Sequence, residues 1–314
     1  MRFAIVGSGG LGCLFGGFLA RAGADVTLIA RGDNLAALRE HGLDVHLLGG
    51  ERFHVGVRAA ADPAEVGPVD AILLCVKTYD VESAARQSSP MIGPETLILP
   101  VQNGVEAAEQ IGQIVGDDHV VPAGVGVTGA TLERPGVVVQ KSPSVSITFG
   151  PDHATEGRRA ERIRDAIAEA GIAAEVSPDV EIELWEKLVF AVAGLGFMTL
   201  TRLSAGPTVA CPETVEVMRG LMDEGVAVGR ARGIPLADDT TERALGRLQG
   251  VAAANPGVRG SMYFDLLAGK RLELEAINGA VVRMGREVGI PTPYNLLVYA
   301  GLKPYADGSP ALPS

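Results

Sequence analysis

The sequence predicts an α/β fold in two parts: a parallel-sheet domain with its helices over residues 1–176, then an all-helical domain over 177–314. Three observations predict it. The N-terminal stretch passes from strand to glycine turn to helix to a second strand. Asp70–Val76 (DAILLCV) and Thr96–Val101 (TLILPV) are almost wholly apolar, as expected of strands buried on both faces of a parallel sheet. From Pro178 onward the pattern is helical, with breaks at Gly206–Pro207, Gly233–Ile234–Pro235, Asn255–Pro256–Gly257 and Gly289–Ile290–Pro291. A chain of 314 residues exceeds one ordinary core, so two domains are expected.

The first element, Phe3–Val6, is a short apolar strand. Gly7, Gly9 and Gly12 follow at G-x-G-x-x-G spacing within Gly7–Ser8–Gly9–Gly10–Leu11–Gly12, and a helical pattern runs from Gly10 to Ala22. Gly23 stops that helix, and Asp25–Ala30 reads as the second strand. In this context the glycines point to a dinucleotide. They allow a tight turn, a close approach of backbone to pyrophosphate and tight helix–strand packing, while the helix N-terminus offers N–H donors. The domain is therefore Rossmann-type. NAD sites usually place an acid after the second strand, whereas NADP sites place an arginine nearby. Here the position holds Arg31, whose guanidinium fork suits a 2′-phosphate, so NADPH is the expected cofactor.

Further along, Asn34–Glu40 reads as a short helix. Leu43–Leu48 and Arg52–Val57 read as a hairpin around Gly49–Gly50. Val120–Val127, Val137–Gln140 and Val145–Phe149 are strand candidates, followed by a helix over Ala154–Ala170 and a strand over Ala173–Val176. The domain boundary falls near Ser177. The tail Lys303–Ser314, with three prolines, reads as a poorly ordered terminus. Ligands of such sheets sit at the carboxyl ends of the strands. That places Gly7–Gly12, Arg31, Lys77 (in CVKTYD) and Asn103 (in VQNGV) around one crevice.

Bulk properties narrow the function. A net charge of −11 argues against nucleic acid or an anionic membrane as partner, so an anionic cofactor must be held by local positive groups. The apolar N-terminus could be read as a signal peptide ending at Ala20–Arg21–Ala22. Its glycine cluster at helix-start spacing and the strand that follows argue otherwise. Cys13, Cys75 and Cys211 are odd in number and show no paired spacing. No other apolar stretch reads as long and uninterrupted enough to span a bilayer, and a soluble, cytoplasmic protein is expected.

Several side chains carry candidate chemistry, each beside a plainer reading. Asn103–Gly104 is a common turn pair, and a lysine at a strand tip such as Lys77 is often only solvated. Lys187, in ELWEKL, leads into the apolar run LVFAVAGLGF. Desolvation there would lower its pKa and suit it to proton transfer. From pattern alone, an amphipathic helix whose lysine snorkels to water is the simpler reading. Glu273 and Glu275 equally fit a solvated helix start.

In this order, the blocks GSGGLG, Arg31, VKTYD, QNG, ELWEKL, RGSM, ELEAING and GIPTPYN resemble the ketopantoate reductase (2-dehydropantoate 2-reductase) family from Met1 to Asn295. The resemblance implies NADPH-dependent reduction of a 2-oxo acid to a 2-hydroxy acid, in a cleft between a Rossmann domain and a helical one. Carried over by position, it implies that Lys187 is the general acid and that Glu273 hydrogen-bonds the substrate. Ser261 would help hold the substrate carboxylate. Lys77 and Asn103 would border cofactor and substrate, and Glu273 would reach the cofactor as well. One departure concerns the lysine's helix, where the family usually presents Asn one and two turns on and this chain has Ala191 and Leu195. Either other groups supply the polar contacts, or the pocket suits a more apolar 2-oxo acid.

Rival readings have less support. Tyr299 and Lys303 match a Tyr-x-x-x-Lys pair but lie at the far C-terminus, beside Pro304. All five histidines, His41 to His153, fall in the first half and outside any motif at the crevice. No Cys/His/Asp cluster has metal-ligand spacing, so no metal is expected. A non-catalytic NADPH-binding protein stays open as an alternative, given the two missing amides. A homodimer through the helical domain is expected from its abundant apolar helices.

Overall fold

The computed structural model describes residues 1–126 and 128–309. The chain divides into two compact units, Met1–Gln102 with Glu106–Val180, and Asn103–Val105 with Glu181–Ser314.

The first unit opens with β1 (Arg2–Val6), α1 (Gly10–Arg21), β2 (Asp25–Ile29) and α2 (Gly32–His41). Next come β3 (Leu43–His46), β4 (Arg52–Val55), β5 (Arg58–Ala60), β6 (Ala71–Leu74), α3 (Val81–Ser88), β7 (Leu97–Pro100) and α4 (Ala107–Val115). It closes with β8 (Ala123–Val125), β9 (Ala130–Arg134), β10 (Val137–Gln140), β11 (Ser146–Phe149), α5 (Arg158–Glu169) and β12 (Ala173–Val176). Five strands form one parallel sheet in the order β5-β2-β1-β6-β7, with Phe3 opposite Val26 on one side and Ala71 on the other. Every residue of β6 and β7 is buried, as their unbroken apolar sequence requires. The strand order reverses at β1, so the switch point lies between β1 and β6.

Two smaller sheets complete this unit, ordered β4-β3-β10-β9 and β12-β11-β8. The β3–β4 hairpin forms where the sequence places it, pairing Leu43 with Val55. Helix α1 lies between the parallel sheet and the second sheet. A Cβ at Gly16 would meet Leu28 at 2.8 Å, and one at Gly17 would meet Val45 at 2.7 Å, so both sheets close on one thin helix. Two strands escape the sequence pattern. β5 is a three-residue edge strand, and β9 (ATLER) is half to fully exposed and has no apolar run. The expected strand Val120–Val127 shrinks to Ala123–Val125 plus a single bridge from Val120 to Ile98, and Val127 lies outside the described residues. A buried ion pair, Arg159 Nε to Asp152 Oδ2 at 3.0 Å, fastens the start of α5.

In the second unit, helix α6 (Val180–Ala191) continues through a π-helical stretch, Val192–Phe197, into α7 (Met198–Thr201). Then come α8 (Ala205–Ala210), α9 (Pro212–Ala231), α10 (Thr240–Ala254), α11 (Ser261–Leu267), α12 (Asn278–Val288) and α13 (Pro293–Leu302). The breaks at Gly233–Pro235, Asn255–Gly257 and Gly289–Pro291 fall between helices. The one expected at Gly206–Pro207 does not occur, because Pro207 sits in the first turn of α8, where its missing N–H costs nothing. The chain turns instead at Arg202, at φ 59°. Contrary to the sequence expectation, Val180–Thr201 is long and apolar enough by composition to cross a membrane. Most of it is buried, and Leu188, Val189, Val192 and Phe197 belong to the helical core. The tail is also more ordered than expected: Lys303–Tyr305 forms a 3₁₀ turn and the buried Ala306 accepts from Leu272 N–H. Residues 310–314 lie outside the described residues.

Candidate active site

The glycine turn occupies the carboxyl end of β1, at the switch point. Gly7 sits at φ +100°, and a Cβ there would lie 2.8 Å from the Cys75 backbone that follows β6. At Gly12 a Cβ would fall 2.0 Å from Gly7 O, so α1 can close on the turn only without a side chain. Gly9 is different, since nothing lies within 4 Å of its Cβ position. That open backbone faces a cavity of about 350 Å³ lined by Val6–Gly9, Ile29–Arg31, Asn34 and, from the β6–α3 side, Val76, Asp80, Ser83 and Gln87. Helix α1 begins beside it with no acid in its first turn and no side-chain cap, leaving its N–H donors to an anion.

Of the residues expected at the cofactor, Gly7, Ser8, Gly9 and Arg31 line this cavity, and Gly10, Leu11 and Gly12 form the first turn of α1. The open backbone at Gly9, the uncapped helix and the Arg31 guanidinium fit a nucleotide carrying phosphates. Lys77 caps the 3₁₀ turn after β6, next to the lining residue Val76. The sequence reading missed Asn34, Asp80, Ser83 and Gln87. Asn34 donates from Nδ2 to Ser8 O at 2.9 Å and accepts from Gly136 N–H at 2.9 Å, so it ties the glycine turn to the β9–β10 connection. Arg31 donates from Nη2 to Gln87 Oε1 at 2.9 Å.

The second unit gathers a different group. Asn103, which the sequence reading assigns to the crevice of the parallel sheet, belongs to this unit, and its Nδ2 donates to Glu273 Oε2 at 3.3 Å. Glu273 is 6% exposed, so it is no solvated helix start: it precedes a 3₁₀ turn and is buried. Glu275, two residues on, takes the Tyr299 hydroxyl at 3.0 Å and pairs with Lys303, which accounts for that tyrosine–lysine spacing. Lys187, on α6, is half-buried. Desolvation pushes its ammonium pKa down from 10.5 to about 8, against the opposing pull of the Glu273 charge, while the Arg247 charge pushes the same way as burial.

Ser261 opens α11 and is exposed. The preceding Gly260 packs on the π-helical stretch, where a Cβ would lie 2.4 Å from Leu195 Cδ2. Met198 N–H donates to Ala193 O in the i→i+5 pattern. Leu195 lies within this wide turn, and Ala191 immediately precedes it. Both are apolar, and Ala191 is 4% exposed. Arg259 stacks over Tyr263 at 5.0 Å, with its buried Nε unpartnered among the described residues.

A parallel sheet with a glycine turn at its switch point, followed by a helical unit carrying a desolvated lysine beside a buried carboxylate, defines a class: two-unit oxidoreductases that bind a dinucleotide. The family model described as ketopantoate reductase PanE/ApbA matches residues 3–153, and its C-terminal counterpart matches residues 179–306. The chain is 32% identical over 294 residues to a 2-dehydropantoate 2-reductase of Halobacterium salinarum, covering 93% of this chain and 95% of that one. It is 35% identical over 246 residues to one of Caulobacter vibrioides, covering 77% and 80%. A crystal structure of a PanE/ApbA family ketopantoate reductase from Ralstonia eutropha superposes with a TM-score of 0.88 at 33% identity, covering 98% of each chain. The chain belongs to the ketopantoate reductase family and is an oxidoreductase. NADPH is the cofactor of that family.

Proposed function

We propose that the chain reduces ketopantoate to pantoate with NADPH, with Lys187 as the general acid. The observation that carries this reading is that Lys187, on α6, is set within reach of the charge of the buried Glu273 carboxylate. Burial pushes its ammonium down to about 8, where it stays protonated at neutral pH yet releases its proton readily. NADPH, when bound, supplies the hydride. Gly7 to Gly12 hold its pyrophosphate and Arg31 its 2′-phosphate, while Lys77 and Asn103 border cofactor and substrate. Lys187 Nζ gives its proton to the carbonyl oxygen, and Glu273 hydrogen-bonds the substrate from a site already braced by Asn103. Ser261 and the neighbouring Arg259 hold the carboxylate. The first unit thus serves the cofactor, and the second the substrate and self-association. The homodimer would form through the exposed Phe264, Leu267 and Leu297 of α11 and α13. With three free cysteines, the cytoplasm is the compartment we assign.

A second reading keeps the reaction and changes the substrate. Ala191 and Leu195 put two apolar groups on the lysine's side of the helix, which favours a 2-oxo acid with a larger apolar side chain. Steady-state NADPH oxidation over a panel of 2-oxo acids, ketopantoate included, tests both. Turnover of none of them refutes the proposed activity. A preference for ketopantoate above about a hundredfold, roughly 2.7 kcal/mol, refutes the second reading.

A further inference from the structure

The cavity beside the glycine turn carries two charged side chains among its lining residues, Arg31 and Asp80. Arg31 is the second residue after β2, at the N-cap of α2, and it is exposed. What holds it is neutral. Gln87, from the last turn of α3, accepts from Arg31 Nη2 at 2.9 Å, and Gln87 Nε2 in turn donates to Ser83 Oγ, one turn back, at 2.9 Å. Ser83 and Gln87 both line the cavity. α3 carries a carboxylate at Glu82, but the residue that meets Arg31, at position 87, is an amide. An amide oxygen orients a guanidinium and leaves its charge intact, whereas a carboxylate would take up the same N–H and neutralise it.

We propose that Gln87, oriented by Ser83, is a positioning residue for cofactor choice: it aims Arg31 into the cavity while keeping the arginine's charge for the 2′-phosphate. This rests on the reading that Arg31 binds that phosphate. Specificity here is then set by two residues on different helices, one supplying the charge and one withholding a competing charge. The carboxylate that the cavity does carry, Asp80, stands at the N-cap of α3, about two turns from Gln87, so what is withheld is a charge at Arg31's own contact.

The test uses the whole chain and two fragments as probes, adenosine 2′,5′-bisphosphate and adenosine 5′-monophosphate, titrated calorimetrically against wild type, Arg31→Ala, Gln87→Glu and Gln87→Leu. Expected are a loss of about tenfold for the bisphosphate with Gln87→Glu, about 2- to 5-fold with Gln87→Leu, and almost no change for the monophosphate in either. The loss with Gln87→Glu should shrink as salt is raised, because the added repulsion is exposed to solvent. If Arg31→Ala loses the bisphosphate selectively while Gln87→Glu stays within about twofold of wild type, Gln87 has no such role and the reading of Arg31 survives. A loss of both probes together with Gln87→Glu makes Gln87 a wall of the cavity only, which also overturns the proposal. If Arg31→Ala weakens both probes equally or neither, the reading of Arg31 fails and this inference fails with it.

Discussion

The proposed role of Lys187 can be tested by pH alone. Its ammonium falls from 10.5 to about 8, so the protonated form needed for carbonyl reduction is lost above about pH 8. The rate constant kcat/KM for 2-oxo acid reduction should therefore be level below pH 8 and fall about tenfold per pH unit above it. Oxidation of the hydroxy acid, which needs the neutral amine, should rise through the same point. Lys187→Arg keeps a charge that does not titrate in this range, so its profile should lack the break while its rate is lowered. Lys187→Ala should lower kcat by roughly 10²–10⁴-fold and leave NADPH affinity near that of wild type.

Stability supplies an independent readout, with its sign fixed by linkage. The unfolded lysine holds its proton to 10.5, and the folded one releases it at about 8. Below pH 8 the fold carries a charged, desolvated amine, and the difference amounts to roughly 3 kcal/mol at about 1.36 kcal/mol per pH unit. That penalty fades between 8 and 10.5 and is gone above. Lys187→Met should accordingly raise stability below pH 8 by up to roughly 3 kcal/mol, and by less as the pH climbs through that window. Denaturant unfolding at several pH values measures it. A stability difference independent of pH across the window, or a reduction profile whose break persists in Lys187→Arg, would refute the reasoning.

The other predictions concern the cofactor, the substrate and the fold. Arg31→Ala should weaken NADPH by about 10- to 150-fold, the worth of roughly 1.5–3 kcal/mol of charge-assisted hydrogen bonding, and hardly change NADH; titration of both cofactors checks it. Ala191→Asn with Leu195→Asn should move kcat/KM toward ketopantoate. In the wild type each extra methylene that fits should be worth up to about 0.8 kcal/mol for a bulkier acid. In the first unit, Arg159→Met should cost roughly 3–5 kcal/mol, because it leaves the buried Asp152 carboxylate without its partner. The hydrogen bond from Arg159 holds that carboxyl near 2 rather than 3.8, so the pair's stabilisation is complete above pH 3.8 and is lost as the pH falls toward 2, which acid unfolding monitored by circular dichroism would follow.

The parallel sheet could be read from the sequence because its strands are apolar on both faces, and no other structure explains DAILLCV or TLILPV so simply. β9 and β5 could not. Neither carries an apolar run, and pairing makes them strands: β9 folds back on β10, with Leu132 opposite Val138, and β5 is paired by the remote β2, with Ala59 opposite Leu28. The same division runs through the candidate site. Gly7, Gly9, Gly12 and Arg31 have a fixed spacing from the strands, so sequence alone places them. Ser83 and Gln87 look like ordinary polar surface until the crossover from β6 into α3 brings them to the cavity, and Asn34 reaches it from α2. Glu273 read equally as a solvated helix start, because pattern cannot reveal burial that comes from a neighbouring segment such as Asn103.

Motif resemblance also hides a division of labour that the structure makes visible. ELEAING contains Glu273 and Asn278, and GIPTPYN contains Asn295, yet these residues do different things. Asn278 and Asn295 are fully buried. Asn278 Nδ2 donates to Val192 O at 3.2 Å, where the π-helical stretch begins, and to Asn295 Oδ1 at 2.9 Å. Asn295 Nδ2 donates to Glu224 Oε2 at 2.8 Å, and the two Glu224 oxygens also take the backbone N–H groups of Tyr294 and Asn295. This chain of amides links α12, α13 and α9 to the wide turn that contains Leu195. The Glu224 carboxylate and both amide Nδ2 groups are bonded in this arrangement, while the buried Asn278 Oδ1 has no partner among the described residues. The turn that carries Leu195 is thus tied to α12 and α13 through Asn278. Replacing Leu195 alone would change the polarity of that turn, whereas replacing Asn278 would remove the bonds that tie it to its neighbours.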